Sequence, residues 1–197
     1  MEQNPTSANI IDWNELRPGL RLTTTALLVV LLVLTDLAFS SVPYVQLVTF
    51  LLTYYFFLVG FKPLVPILLI YVCLDCMISG GMWPIFISIP TMFLAWFWLI
   101  ALLNFTRLIK GPFLKKIWLV ALIAGLHGFL FGQTFAVVTT WIYHGSSVLM
   151  FERGWVAWTL ADIPWEIAQC IVGVGSSLIL LPPVYMGTKR ALRNFGK

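Results

Sequence analysis

Four carboxylate side chains stand within or beside long apolar stretches of this sequence: Asp36, Asp75, Asp162 and Glu166. A carboxylate is costly in hydrocarbon and usually has a partner there. Asp162 and Glu166 are four residues apart in the segment ADIPWEIAQC, and like charges at that spacing on a helix repel one another. Each acid therefore needs water, a hydrogen-bond donor or a ligand to hold it in place.

The composition predicts the setting of these acids. The chain has 197 residues, of which 60% are hydrophobic and 10% are charged, whereas soluble domains have about 25% charged residues. Long apolar stretches predict an all-α integral membrane protein. We expect residues 1–197 to form a single membrane domain, with a polar cytoplasmic segment at residues 1–20.

Six membrane-spanning helices are predicted, and they lie at about Leu22–Phe39, Tyr44–Gly60, Pro63–Ile78, Pro84–Phe105, Ile117–Thr140 and Leu160–Met186. The second and third segments are barely long enough to cross a bilayer. They could instead form one re-entrant hairpin.

The basic residues predict the orientation. If both termini are cytoplasmic, all of the 12 Lys and Arg residues except Arg153 lie on the cytoplasmic side. This asymmetry is what the positive-inside rule requires. The charge of +4 is therefore explained by topology, and nucleic acid is not expected as a partner.

In this orientation the four acids share one depth, in the outer third of their helices, which predicts a cavity open to the outside. Asp36 and Asp75 are expected to contact a ligand in this cavity, although each could instead lie at the water interface. Asp162 precedes Pro164 and is expected mainly to cap the sixth helix. Glu166 and Gln169 are expected to contact a ligand, although a structural hydrogen bond is the alternative for Glu166.

Aromatic residues are abundant on the predicted outer side, and those expected to contact the ligand are Tyr44, Trp83, Trp141, Tyr143, Trp158 and Trp165. Aromatic faces bury flat ligands, but an interfacial girdle is the alternative explanation. Residues 141–159 are expected to form an outer loop that covers the binding site, because long loops are often functional.

Other chemistry has weaker support in the sequence. Cys73 and Cys76 form a CxxC motif, so a membrane thiol–disulfide oxidoreductase is a remote alternative. His127 is surrounded by glycines, where a hydrogen bond between helices is favoured over ligand contact. No nucleotide-binding, hydrolase or metal-binding motif is present. We therefore expect a protein that is not an enzyme and needs no cofactor or metal.

Three stretches of the sequence are similar to one family of membrane proteins: SVPYVQLVTFLLTYYFFLVG, YVCLDCMISGGMWP and GWVAWTLADIPWEIAQCIVGVGSSLILLPPVY. They resemble the substrate-binding S components of energy-coupling factor (ECF) vitamin transporters. In the third stretch, Pro164, Trp165 and Glu166 match the family pattern, whereas Gln169 and Gly173 replace its usual His and Asn.

The resemblance implies partners and a location. An S component binds a vitamin outside and docks on a membrane coupling protein that carries two cytoplasmic ATPase subunits, in a prokaryotic plasma membrane. Docking in the family uses small residues on the first helix. The corresponding residues here are Thr23, Thr25 and Ala26, and Val30 interrupts the usual Ala-x-x-x-Ala pattern.

The predicted outer side has carboxylates, amides and aromatic rings but only one basic residue, Arg153. Anionic vitamins such as folate and pantothenate are disfavoured, because they would need Arg or Lys. A corrinoid (cobalamin or its precursor cobinamide) is the first expectation, followed by thiamin-like cations, riboflavin and queuosine-type bases. A stand-alone permease or channel for small solutes is the alternative function.

Overall fold

The computed structural model describes residues 10–39, 47–80, 83–107, 113–144 and 148–195, and over these ranges the chain is helical with no strand. The helices are α1 (Pro18–Phe39), α2 (Leu47–Val59), α3 (Phe61–Ile78), α4 (Ile85–Phe105), α5 (Phe113–His144), α6 (Val148–Ile179) and α7 (Leu181–Phe195). Five helical spans are long and apolar enough to cross a membrane, and α2 is a shorter apolar helix.

The last part of the chain differs from the sequence prediction. Helix α6 begins at Val148 rather than near Leu160, and α5 continues to His144. The stretch 141–159 is therefore helical wherever the structure describes it, and the prediction of an outer loop is wrong there. The sequence misplaced this boundary because Pro164 resembles a first-turn proline but lies inside α6.

A seventh helix was not predicted from the sequence. Helix α6 ends at Ile179, and α7 begins at Leu181 with Pro182 and Pro183 in its first turn. A proline has no N–H to donate to the preceding turn, so two in succession end one helix and suit the start of another. Exposed Lys189 and Arg190 lie on α7.

Helix α2 is the centre of the bundle. It contacts each of the other described helices, and nine of its 13 residues are buried. At 1.5 Å per residue it is about 20 Å long, which is shorter than the hydrocarbon core of a bilayer. Gly60 alone separates it from α3, with a φ of 90° that favours glycine.

The N-terminal segment closes the end of α2. The backbone N–H groups of Ile10 and Ile11 donate to the carbonyl oxygens of Phe57 and Leu58, at 3.0 and 2.9 Å. The last carbonyls of a helix have no partner within the helix, so these bonds satisfy two of them. The N-terminal segment therefore lies at the end of the bundle where α2 ends and α3 begins.

Large apolar side chains cover the outside of the bundle. On α1 alone, seven are exposed: Leu20, Leu22, Leu27, Val30, Leu31, Leu34 and Leu37. A soluble monomer rarely exposes a continuous apolar surface of this kind. The surface and the helix lengths are those of a protein that lies in a membrane.

Candidate ligand-binding cavity

A cavity of about 530 Å³ lies among α3, α4, α5 and α6. It is lined by Asp75, Cys76, Ser79, Trp83, Ser88, Met92, Phe131, Gly132, Phe135, Asp162 and Trp165. The volume falls within the range of about 300–1,000 Å³ that is usual for small-molecule sites. Because its walls include the end of α3 and the start of α4, the cavity lies at the end of the bundle away from the N-terminal segment.

Asp75 is the most buried acid of the cavity wall, with 7% of its surface exposed. Its Oδ1 accepts a hydrogen bond of 2.9 Å from the Ser79 hydroxyl, one turn later on α3. Asp36 is partly buried on α1, which packs against α3. The described cavity wall therefore contains Asp75 but not Asp36.

Asp162 lies in the cavity wall on α6, together with Trp165. The expectation that Asp162 caps a helix is wrong, because α6 begins fourteen residues earlier at Val148. A residue in the middle of a helix has no free N–H groups of a first turn to bind. It contributes to the wall of the cavity, to which α3 contributes Asp75.

Aromatic rings form another side of the cavity. Trp83 stacks on Phe135 with ring centroids 5.5 Å apart, and Phe135 stacks on Phe131 at 5.1 Å. The backbone of Trp83 is held by Ser88, whose hydroxyl donates to the Trp83 carbonyl at 2.7 Å and accepts from its N–H at 3.2 Å. Each ring of this wall therefore has a stacked aromatic neighbour.

Glu166 is buried between α5 and α6, with 3% of its surface exposed, and is absent from the cavity wall. Its Oε1 accepts a 3.0 Å hydrogen bond from Nε2 of Gln133. Oε1 of Gln133 in turn accepts from Trp155 at 3.0 Å and from Thr159 at 3.4 Å. This network joins two helices, which favours the structural alternative for Glu166.

Gln169 also lies between α5 and α6, and 5% of its surface is exposed. The two helices approach closely at four glycines: Gly125, Gly128, Gly132 and Gly173. A Cβ on Gly132 would collide with the Glu166 carboxylate, and one on Gly128 would lie 3.0 Å from the Gln169 Cβ. We call this packed interface the glycine seam; it holds Glu166 and Gln169, two of the residues that the sequence assigned to ligand contact.

The remaining predicted aromatic residues lie apart from the described cavity wall. Trp141 and Tyr143 are exposed on α5, and the Tyr143 ring lies parallel to that of Trp158, at 6.5 Å. Tyr44 lies outside the described residues. On α1, Thr23 and Ala26 are exposed and Thr25 is half-buried, so these positions are accessible for the docking that the resemblance implies.

Sequence reasoning missed six residues of the cavity wall: Ser79, Ser88, Met92, Phe131, Gly132 and Phe135. None of them has a charged or N–H side-chain group that marks a site in a sequence, and all but Ser79 lie within long apolar helices. The signal for Phe131 and Phe135 was their spacing, because residues four apart share one face of a helix. The sequence instead indicated the polar residues Glu166 and Gln169, which are buried against α5.

Below the cavity, packed aromatic side chains fill the interior of the bundle. His127 stacks on Trp96 with centroids 5.1 Å apart, and Trp96 contacts Phe131 and Tyr71 edge to face. His127 also hydrogen-bonds the carbonyl of Ala95 across the helices at 3.1 Å. These buried rings separate the cavity from the opposite end of the bundle.

The described residues contain no group of three or more His, Cys, Asp or Glu side chains that could hold a metal. Cys73, Cys76 and Cys170 are free thiols. Cys76 lies in the cavity wall, whereas Cys170 donates to the carbonyl of Gly125 in the glycine seam.

No family model, no curated protein and no solved structure matches this chain.

Proposed function

We propose that this chain is a membrane-embedded binding subunit for a small, flat organic cation. The observation that carries the proposal is the composition of the cavity wall. Two carboxylates, Asp75 and Asp162, face a space that is otherwise lined by aromatic rings, a methionine and small polar groups. No Lys, Arg or His lies among the described residues of this wall.

Acidic and aromatic side chains together favour a cationic ring. The face of an aromatic ring attracts a cation, and the attraction grows when water is excluded. Carboxylates supply the opposite charge and accept hydrogen bonds from amino groups. An anion such as pantothenate would meet two like charges and no basic partner.

The cavity volume favours a ligand smaller than a corrinoid. A volume of about 530 Å³ suits a drug-sized molecule, whereas a corrin ring with its amide side chains is larger. A thiamin-like cation combines a flat heterocycle, a fixed positive charge and an amino group. Among the ligands considered from the sequence, it fits the charge and the size best.

Binding is favoured over conduction, because the centre of the bundle below the cavity is filled. Trp96, Tyr71 and His127 each have 2% or less of their surface exposed. A stand-alone channel needs a continuous polar path, and close-packed aromatic rings oppose one.

The resemblance to S components supplies the rest of the proposal. The cavity faces the outside, the termini are cytoplasmic, and inward delivery depends on a membrane coupling protein with two ATPase subunits in a prokaryotic plasma membrane. Docking is assigned to the α1 face that contains Thr23, Thr25 and Ala26. The distribution of Lys and Arg supports this orientation.

Titration calorimetry on the detergent-purified chain tests the ligand class. The probes are thiamine and N-methylnicotinamide as cations, riboflavin as a neutral ring, pantothenate as an anion and cobinamide as a corrinoid. We expect binding of at least one of the two cations and none of pantothenate. Binding of pantothenate, or failure of both cations, would overturn the proposal.

Cysteine labelling tests the orientation. In a background without native cysteines, Ser79→Cys at the cavity end should react with an impermeant maleimide in intact cells. Lys189→Cys on α7 should react only after the cells are opened. Labelling of Lys189→Cys in intact cells would reverse the assignment of the two sides.

Reconstitution tests the partners. The chain alone in liposomes should bind its ligand without hydrolysing ATP, and accumulation should need the coupling and ATPase subunits. Accumulation against a gradient by the chain alone would favour the permease alternative instead.

A further inference from the structure

Trp83 differs from the other residues of the cavity wall in one respect. Only 8% of its surface is exposed, and its indole N–H has no hydrogen-bond partner among the described residues. Other buried polar atoms also have no partner, but within the described part of the chain none of those belongs to the cavity wall. A buried donor without a partner is costly, and native structures usually satisfy such groups. The N–H of Trp83 is therefore a group that a ligand in the cavity can satisfy.

The surroundings of Trp83 show how such a ligand must approach. The Ser88 hydroxyl donates to the Trp83 carbonyl at 2.7 Å and accepts from its backbone N–H at 3.2 Å. The indole ring stacks on Phe135, with an angle of 24° between the two ring planes. An indole has a single N–H, which donates in the plane of the ring. A ligand atom that binds it must therefore meet the edge of the indole rather than its face.

The other polar groups of the wall define what the rest of the ligand must carry. Both serines of the wall already donate within the protein, Ser79 to Asp75 at 2.9 Å and Ser88 to Trp83. Ionised carboxylates such as Asp75 and Asp162 only accept hydrogen bonds. The described wall thus offers negative charge at its two acids and, separately, a donor at Trp83 that still needs an acceptor.

We propose that Trp83 selects, among flat cations, those that also have an uncharged hydrogen-bond acceptor, such as a carbonyl oxygen or a ring nitrogen. This inference rests on the proposed function and narrows its ligand class. The carboxylates attract the positive charge, and the indole N–H donates to the acceptor. A cation without the acceptor still meets the carboxylates but leaves the N–H without a partner, so it binds less tightly.

Two matched cations test the acceptor by titration calorimetry on the detergent-purified chain. Both are N-methylpyridinium ions, one with a meta acetyl group and the other with a meta isopropenyl group. They have the same charge and nearly the same shape, but the carbonyl oxygen of the first is a methylene group in the second. We expect the acetyl compound to bind about fivefold more tightly, the gain from one neutral hydrogen bond. Equal affinities for the unmodified chain would overturn the proposal.

Trp83→Phe tests whether the indole is the donor. The phenyl ring has no N–H, so the preference for the acetyl compound should disappear. A preference that persists in the folded variant would assign the acceptor to another donor and refute the role of Trp83. If the variant does not fold, the comparison of the two cations on the unmodified chain still decides whether the acceptor matters.

Asp162→Asn is the matched control, because it removes charge from the cavity wall and keeps the indole. It should weaken binding of both pyridinium ions and leave the preference for the acetyl compound unchanged. Loss of that preference in Asp162→Asn would show that it arises from charge, and would refute selection by Trp83.

The outcomes also separate this inference from the proposed function. If both pyridinium ions bind equally well, the proposed function stands and selection by Trp83 is refuted. If only thiamine binds, whose pyrimidine nitrogens are acceptors, its affinity for Trp83→Phe decides. A loss of about fivefold supports the inference, and an unchanged affinity refutes it. If none of these cations binds, the proposed function itself fails.

Discussion

Asp162 and Glu166 stand one turn apart on α6, yet they belong to different regions of the molecule. Asp162 lies in the wall of a cavity that is also lined by aromatic rings and Asp75. Glu166 lies in the glycine seam, where it accepts a hydrogen bond from Gln133 and packs against Gly132. The comparison shows that an intramembrane carboxylate can serve binding or packing, depending on which neighbouring helix it meets.

The two regions should respond differently to substitution. The seam is close-packed, so its variants should change stability. The cavity has empty space, so its variants should change affinity.

The largest effect is expected in the seam, at Gly173→Ala. The added Cβ would lie 2.7 Å from the backbone oxygen of Ala124, which cannot move aside without shifting α5. Overpacking of this kind costs about 3 kcal/mol. Denaturation in detergent measures the loss. Gly175→Ala is the matched control, because nothing lies within 4 Å of its Cβ; equal losses at both positions would refute a tight seam.

The next effect separates the two acids. Asp162→Asn should weaken binding of the cation about tenfold, since a hydrogen bond to a charged group contributes about 1.5–3 kcal/mol. Glu166→Gln should lower stability and leave the affinity of the folded protein unchanged within about twofold. Calorimetry and denaturation on both variants provide the test. If Glu166→Gln weakened binding and Asp162→Asn did not, the ligand would lie in the seam.

A native thiol reports on the charge of the cavity. With Cys73 and Cys170 replaced by serine, Cys76 is the remaining cysteine and lies in the cavity wall. A cationic methanethiosulfonate reagent should modify it about ten times faster than an anionic one, because the nearby acids concentrate cations. Asp162→Asn should reduce this ratio. A faster reaction with the anionic reagent would contradict an acidic cavity.

The smallest effect is expected at Trp83→Phe. The phenyl ring keeps an aromatic face against Phe135 but has no N–H. The loss of one neutral hydrogen bond corresponds to about 1 kcal/mol, or about fivefold in Kd. Trp98→Phe, on α4 and 40% exposed, is the control. Equal affinities for the unmodified chain and Trp83→Phe would show that the indole N–H does not meet the ligand.

The sequence predicted the helical class and the limits of the first four helices to within a few residues, because long apolar stretches leave little choice of structure. It also predicted that Asp36, Asp75, Asp162 and Glu166 share one depth, and two of them, Asp75 and Asp162, lie in the described cavity wall. It could not distinguish Asp162 from Glu166, because the side of α6 that each presents depends on how α5 packs there. That packing is set by Gly128 and Gly132, whose effect requires knowledge of the neighbour.

The wrong prediction of where α6 begins has a local cause. Pro164 indicated a helix start, but a proline within a long helix removes only one hydrogen bond, and neighbouring helices can compensate for this loss. The sequence also assigned more outer aromatic residues to ligand contact than the described cavity wall contains. Trp141 and Tyr143 are exposed at the end of α5, as interfacial aromatic residues commonly are, and Trp158 is exposed further along α6.

The short length of α2 constrains how the protein can be made. Its 13 residues are too few to be stable alone in a bilayer, because their ends would leave backbone groups unpaired in hydrocarbon. Yet it occupies the centre, in contact with each of the other described helices. We therefore expect α2 to enter the bilayer only after the later helices have been synthesised and can surround it. Completion of the bundle, rather than insertion one helix at a time, is the step that commits this chain to its folded state.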